Sequence, residues 1–214
     1  MVPSGDRRVV DDVADAFAAL LTERAPASVA LSGGSTARRC YERLAARHPD
    51  WSDVVVFFGD ERWVPITHPD SNAGMARSSL LSHTGARTVW SMREAGPTIE
   101  LAAEAYDALL AGFGPAALVH LGMGPDGHTA SLFPGSPALD ETERLVVATG
   151  DDRHPHPRLT WTFPALATAE LIVITVDGSE KRDALRRVES GEDLPVSRVR
   201  AREIVWLIGR DALD

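Results

Sequence analysis

The sequence predicts an α/β fold: a mainly parallel sheet flanked by helices on both faces. Three observations predict it. Short continuous apolar runs, such as Val54 to Phe58 and Leu171 to Val176, have the length and β-branched content of strands covered on both faces. Stretches with apolar residues at helical spacing alternate with them. Glycine-containing loops follow several of these runs directly, as strand-to-helix turns in a parallel sheet do.

Taken in order, Val10, Val13, Phe17 and Leu21 recur at helical spacing and predict a first helix, ended at Pro26. Ser28 to Leu31 reads as a buried strand, Ser32 to Thr36 as a glycine turn, and the following segment as a helix carrying Tyr41 and Leu44. Val54 to Phe58 is the next strand. Gly59 to Pro69 reads as loop, and Asp70 or Ser71 can cap a helix running to Leu81. Ile99, Ala102 or Ala103, Tyr106, Leu110 and Phe113 mark another amphipathic helix. Strands are then expected over Ala117 to Leu121, Arg144 to Ala148, Arg158 to Phe163, Leu171 to Val176 and Ile204 to Ile208, with a helix over Ser179 to Val188. Gly150 to Pro157, rich in Asp, His and Pro, reads as the most mobile loop. No repeat or linker divides the 214 residues, so one domain over 1–214 is expected.

Composition narrows the function. A content of 44% hydrophobic and 25% charged residues is that of a globular protein. The formal charge of −9 opposes nucleic acid and anionic membrane as partners. No apolar run approaches the roughly 18 residues of a membrane span. The N-terminal residues lack a secretory signal, and the single cysteine, Cys40, cannot close an internal disulfide, so a cytoplasmic location is expected. An acidic chain holding an anionic metabolite needs local cations and backbone amides. In a parallel α/β sheet these are sought in the loops after the strands.

Four such loops stand out. In Ser32-Gly33-Gly34-Ser35-Thr36 the glycines allow a close backbone approach, and Ser35 and Thr36 open a helix whose free amides attract anions. A plain capped turn would look the same, and no Gly-Lys-Thr follows to suggest a nucleotide triphosphate. In Gly59-Asp60-Glu61-Arg62-Trp63, Arg62 can fork onto phosphate or be pinned by Asp60 or Glu61. The third loop, Gly122-Met123-Gly124-Pro125-Asp126-Gly127-His128, carries a carboxylate and an imidazole two residues apart. Imidazole titrates near neutrality, and a neighbouring carboxylate can fix its tautomer, so His128 is the expected general base and Asp126 its partner. In the fourth, Asp177-Gly178-Ser179-Glu180-Lys181, Ser179 reads as an N-cap. Lys181 in the first turn is unfavourable against the helix dipole unless an anion is near.

These segments, with Ser71-Asn72, Arg158-Leu159-Thr160 and the run Gly122 to Pro134, resemble in order and spacing the 6-phosphogluconolactonase family, relatives of the glucosamine-6-phosphate deaminases. The resemblance implies a sugar-phosphate-isomerase-like, modified Rossmann topology. It implies hydrolysis of 6-phospho-D-glucono-1,5-lactone in the oxidative pentose phosphate pathway, with neither metal nor organic cofactor. It also implies that His128 activates water, and that Ser35, Thr36, Arg62, Arg158 and Lys181 hold the phosphate and the sugar acid. Gly33, Gly34 and Asp60 complete the expected substrate wall, and the oxyanion falls to backbone amides of Gly33-Gly34 or of the third loop. A monomer is expected. Ala37, His120 and Gly209 depart from the family's usual residues.

Two other readings stay in view. A glucosamine-6-phosphate deaminase or isomerase would share the Asp-Gly-His loop and could use Asp60 as base, but here Thr-Ala-Ser-Leu-Phe-Pro follows His128 where deaminases carry Asn-Glu-Pro. A non-catalytic sugar-phosphate sensor would need a DNA-binding module, and the single helix before the strand at Ser28 is too little for one. Metal catalysis finds no His-Glu-x-x-His and no second cysteine. His154 and His156, flanking Pro155, are expected at the surface and not as ligands.

Overall fold

A computed structural model describes residues 4–150 and 154–213, so residues 1–3, in the segment read for a leader, and residues 151–153 of the loop expected over 150–157 lie outside the described residues. In chain order the elements are β1 (Asp6–Val10), α1 (Val13–Arg24), β2 (Ser28–Leu31), α2 (Ser35–Ala45), β3 (Val55–Phe58), β4 (Asp60–Arg62), α3 (Asn72–Ser79), β5 (Thr88–Val89), α4 (Ile99–Phe113), β6 (Leu118–Gly122), β7 (Val146–Thr149), β8 (Arg158–Trp161), α5 (Phe163–Thr168), β9 (Leu171–Val176), α6 (Arg182–Glu189) and β10 (Glu203–Gly209).

Seven strands form a sheet in the order β1-β10-β9-β6-β2-β3-β5, parallel throughout, which agrees with the mainly parallel sheet expected from the sequence. Every residue of β9 is buried, because strands flank it on both sides and helices cover the sheet. Register shows which helices cover which face. Ala30 pairs with Phe57 and with Val119, so these side chains leave the sheet together, and His120, one residue on, leaves on the opposite face. Phe57 packs against Tyr106 and Phe113 of α4, whereas His120 packs against Phe17 of α1 and Tyr41 of α2. Helices therefore lie on both faces, around one core.

Several features differ from the sequence reading: β5 is unforeseen, and the strand expected over Arg158 to Phe163 ends at Trp161, with Phe163 opening α5. Val10 belongs not to the first helix but to β1, an edge strand parallel to β10, so a strand precedes the one at Ser28. Most of β1 is exposed, which removes the apolar pattern by which a strand is recognised. The segment read as loop from Gly59 contains β4, which joins β8 and β7 in a second, antiparallel three-stranded sheet. Three residues carry no periodicity of their own, and β4 exists because β8 offers it a ladder. The helix expected from Ser179 is a 3-10 turn over Ser179–Lys181 followed by α6, and Gly178, not the Ser179 hydroxyl, occupies the cap position.

The strand order positions the site. From β2 the sheet grows through β3 and β5 on one side and through β6, β9 and β10 on the other. The chain thus reverses between β2 and β6, and the loops leaving their carboxyl ends splay apart there. Such switch points open a crevice for ligands.

Candidate active site

That crevice is a cavity of about 200 Å³ whose walls include Gly33, Gly34, Ser35, Thr36, Asp60, Arg62, His128, Arg158 and Lys181. Every expected substrate residue and the expected base share it. Asp126 does not line it but holds the ring that does.

His128 Nδ1 lies 2.6 Å from an Asp126 carboxylate oxygen, which also accepts the His128 backbone N–H at 3.1 Å. Burial opposes ionisation of Asp126, but the hydrogen bond and charge of His128 and nearby backbone N–H groups outweigh it and hold the carboxyl well below its usual range. A carboxylate only accepts hydrogen bonds, so Nδ1 carries the proton and the lone pair is on Nε2. Gly124 makes room for the ring: a Cβ there would stand 2.1 Å from His128 Nδ1. Phe133 also packs against the ring, with ring centres 4.7 Å apart, and His154 stacks on Phe133 in turn.

Across the cavity, α2 presents its N-terminus. Gly34, at φ 94°, takes the cap position and supplies no side-chain cap. The first intrahelical bond runs from Arg38 N–H to Gly34 C=O, which leaves the amides of Ser35, Thr36 and Ala37 outside the helical ladder. No acidic residue occupies the first turn, so the positive end of the dipole faces the cavity uncompensated. Among the described residues the mostly buried Lys181 side chain has only a loose contact with Glu180, at 3.8 Å.

The small sheet brings in the arginines. The β4–β8 register sets Arg62 directly opposite Arg158, an unfavourable pairing of like charges that an anion between them would relieve. Arg62 is not pinned by Asp60 or Glu61. Its guanidinium donates to Asn72 Oδ1 at 2.5 Å and to the Asp70 carbonyl at 3.0 Å, and among the described residues its buried Nε has no partner. Glu61 instead anchors the start of α3, accepting the N–H groups of Asn72 and Ala73 and the Ser71 hydroxyl. Burial pushes the Glu61 carboxyl up, and these donors offset part of that rise.

Asn72 is the residue that the sequence reading leaves without a role. Its amide nitrogen donates to the Asp60 carbonyl at 2.9 Å and carboxylate at 3.1 Å, while its oxygen receives Arg62. It sits so close to the β2 loop that a Cβ on Gly33 would fall 1.8 Å from Asn72 Oδ1. Asp60 also accepts the Ser131 hydroxyl at 2.7 Å, which ties β4 to the loop that carries His128. The only sequence signal for this hub is the Ser71-Asn72 pair at a helix start.

Beneath the β2 loop lies a buried polar chain that sequence reasoning saw only as the departure at His120. Ser32 N–H donates to the Tyr41 hydroxyl at 2.7 Å, Tyr41 bonds His120 Nδ1 at 3.0 Å, and His120 Nε2 bonds Thr175 Oγ1 at 3.0 Å. Burial alone lowers the His120 pKa to about 3, so the ring is neutral and one tautomer satisfies both its partners.

Known proteins share the sequence and the fold of this chain. Residues 6–206 match the family described as glucosamine-6-phosphate isomerases/6-phosphogluconolactonase. The 6-phosphogluconolactonase of Pseudomonas putida is 38% identical over 197 residues, covering 89% of this chain and 81% of that protein. That of Mycobacterium tuberculosis is 36% identical and covers 99% of this chain and 92% of its own. The crystal structure of 6-phosphogluconolactonase from Thermotoga maritima superposes with a TM-score of 0.86 at 29% identity, over 97% of this chain and 100% of that one. A monomeric glucosamine-6-phosphate deaminase, at 18% identity and a TM-score of 0.83, shares the fold. The chain belongs to the glucosamine-6-phosphate isomerase/6-phosphogluconolactonase family.

Proposed function

We propose that this chain hydrolyses 6-phospho-D-glucono-1,5-lactone to 6-phosphogluconate, with His128 as general base. That it is a lactone-hydrolysing enzyme, a carboxylic ester hydrolase, rests on the 6-phosphogluconolactonases at 36–38% identity. One observation carries the finer reading: an imidazole held by Asp126 faces, across one cavity, an uncapped helix N-terminus and Lys181.

In this mechanism the phosphate rests on the amides of Ser35 and Thr36 and on Lys181, while Arg62 and Arg158 hold the remaining anionic and hydroxyl groups. His128 Nε2 takes a proton from a water as the water oxygen bonds to the lactone carbonyl carbon. Backbone amides of Gly33-Gly34 or of the third loop stabilise the oxyanion. Collapse breaks the bond to the ring oxygen, which receives the proton from His128, and the product is the open-chain acid. The base contributes about 10²–10⁴ in rate and an oxyanion donor about 10²–10³, enough for an ester that already hydrolyses in water. Asp60, held by Asn72 and Ser131, serves as wall and not as base.

We further take the chain to be one domain, monomeric and cytoplasmic, with a small-molecule substrate and neither nucleic acid nor membrane as partner. Among the described residues no helix is long and apolar enough to cross a membrane. The test compares substrates. Freshly prepared phosphorylated lactone is expected to turn over well above the spontaneous rate, and glucosamine 6-phosphate to release no ammonia. Ammonia release without lactone hydrolysis would overturn the reading in favour of a deaminase.

A further inference from the structure

Outside the cavity, His68, Asp70 and His156 form a cluster that the reaction does not use. His68 and Asp70 lie between β4 and α3, and His156 lies just before β8. Each offers one ligand atom, and the three atoms lie within 4.8 Å of one another. His156 Nε2 is 3.0 Å from Asp70 Oδ2, and His68 Nδ1 is 3.8 Å from the same oxygen. A tetrahedral ion with bonds of about 2.0–2.1 Å spaces its ligand atoms by about 3.3 Å, which those two separations bracket.

The donor chemistry selects the ion. Two imidazoles and a carboxylate suit a borderline divalent metal such as Zn²⁺, whereas Ca²⁺ and Mg²⁺ take oxygen ligands throughout. His68 Nδ1 accepts the Asp70 backbone N–H at 3.1 Å, a bond that an ion at that nitrogen would replace. All three side chains reach solvent, which gives an ion an entry path and leaves room for water as a further ligand.

We propose that His68, Asp70 and His156 form a Zn²⁺-class site that fastens the segment before α3 to the segment before β8. The consequence reaches the cavity wall. The carbonyl of Asp70 accepts from Arg62, Ser71 and Asn72 follow it at the start of α3, and Arg158 stands two residues after His156. A bound ion therefore joins the supports of the two arginines that β4 and β8 set side by side. This site does not depend on which reaction the cavity performs.

Calorimetric titration of the metal-stripped full chain with Zn²⁺ alone tests it, with Co²⁺ absorption reporting the ligand set. One ion per chain is expected, bound about tenfold or more tightly than by His68→Ala/His156→Ala, as loss of imidazole ligands requires. His128→Asn is expected to bind as the unsubstituted chain does, which separates this site from the cavity imidazole. Circular dichroism verifies that the variants fold. Should the double variant fail to fold, the single exchange His156→Gln is read instead, with Zn²⁺ raising the melting temperature of the unsubstituted chain and not of this variant. Absence of stoichiometric binding, equal binding by the His68/His156 variants, or loss of binding in His128→Asn would overturn the proposal.

Discussion

Replacing Asp126 with asparagine removes the charge beside His128 while keeping the size of the side chain. In the resting enzyme the carboxylate accepts the Nδ1 proton at 2.6 Å and is held ionised. In the proposed mechanism His128 becomes an imidazolium as it takes a proton from water, and the bond to Asp126 becomes an ion pair. Hydrogen bonds to a charged partner contribute roughly 1.5–3 kcal/mol, against roughly 0.5–1.5 kcal/mol for a neutral pair. The resting bond already has one charged partner, so only the further gain from pairing with the imidazolium acts on the transition state. The Asp126 side chain is 39% exposed, so solvent screens part of it, and the lower half of that range applies. About 1 kcal/mol corresponds to a fall in kcat of about fivefold. The amide can also turn its NH₂ toward Nδ1 and favour the wrong tautomer, which would deepen the loss. Because lactone hydrolysis yields an acid ionised at neutral pH, each turnover releases a proton, and indicator absorbance on fresh substrate measures kcat and KM directly. A fall in kcat with KM nearly unchanged is expected. A kcat within twofold of the unsubstituted enzyme would refute the role assigned to Asp126.

Three further outcomes are expected. Gly124→Ala puts a Cβ 2.1 Å from His128 Nδ1 and forces the ring aside; a displacement near 1 Å costs about a hundredfold in kcat, and a normal rate would show that the ring is not held there. Lys181→Ala removes the proposed charge-assisted contact with the phosphate, worth roughly 1.5–3 kcal/mol, so KM should rise about 10–150-fold with kcat little changed, and an unaltered KM would end the phosphate role of Lys181. His120 has a folded pKa of about 3 against about 6.5 unfolded, so it favours unfolding as pH falls below 6.5. Between pH 6.5 and pH 5 that amounts to about 2 kcal/mol, present in denaturant titrations of the parent chain and absent in His120→Gln; identical acid limbs would contradict it.

The parts legible in the sequence are those whose physics is local. Leu171–Val176 reads as a buried strand because every side chain in it is apolar or β-branched, and the structure gives that strand the same bounds. Asp126 and His128 are two residues apart, so their pairing needs no knowledge of the rest of the chain. What the sequence conceals arises from distant contacts. The three residues of β4 become a strand only through β8, and that register puts Arg62 against Arg158. Asn72 becomes a hub because the start of α3 lies against β4, within reach of Asp60 and Arg62, a proximity that no spacing along the chain encodes. The acidic pair after β3 divides its labour for the same reason: Glu61 meets the open end of α3, while Asp60 meets Ser131 and Asn72. His154, expected at the surface, stacks on Phe133 beside the cavity.

The most direct test of the account is the turnover of His128→Ala on fresh phosphorylated lactone. Loss of the base should lower kcat by at least about a hundredfold while leaving KM close to its original value, since the phosphate contacts stay in place. Turnover near that of the unsubstituted enzyme would mean that another group activates the water.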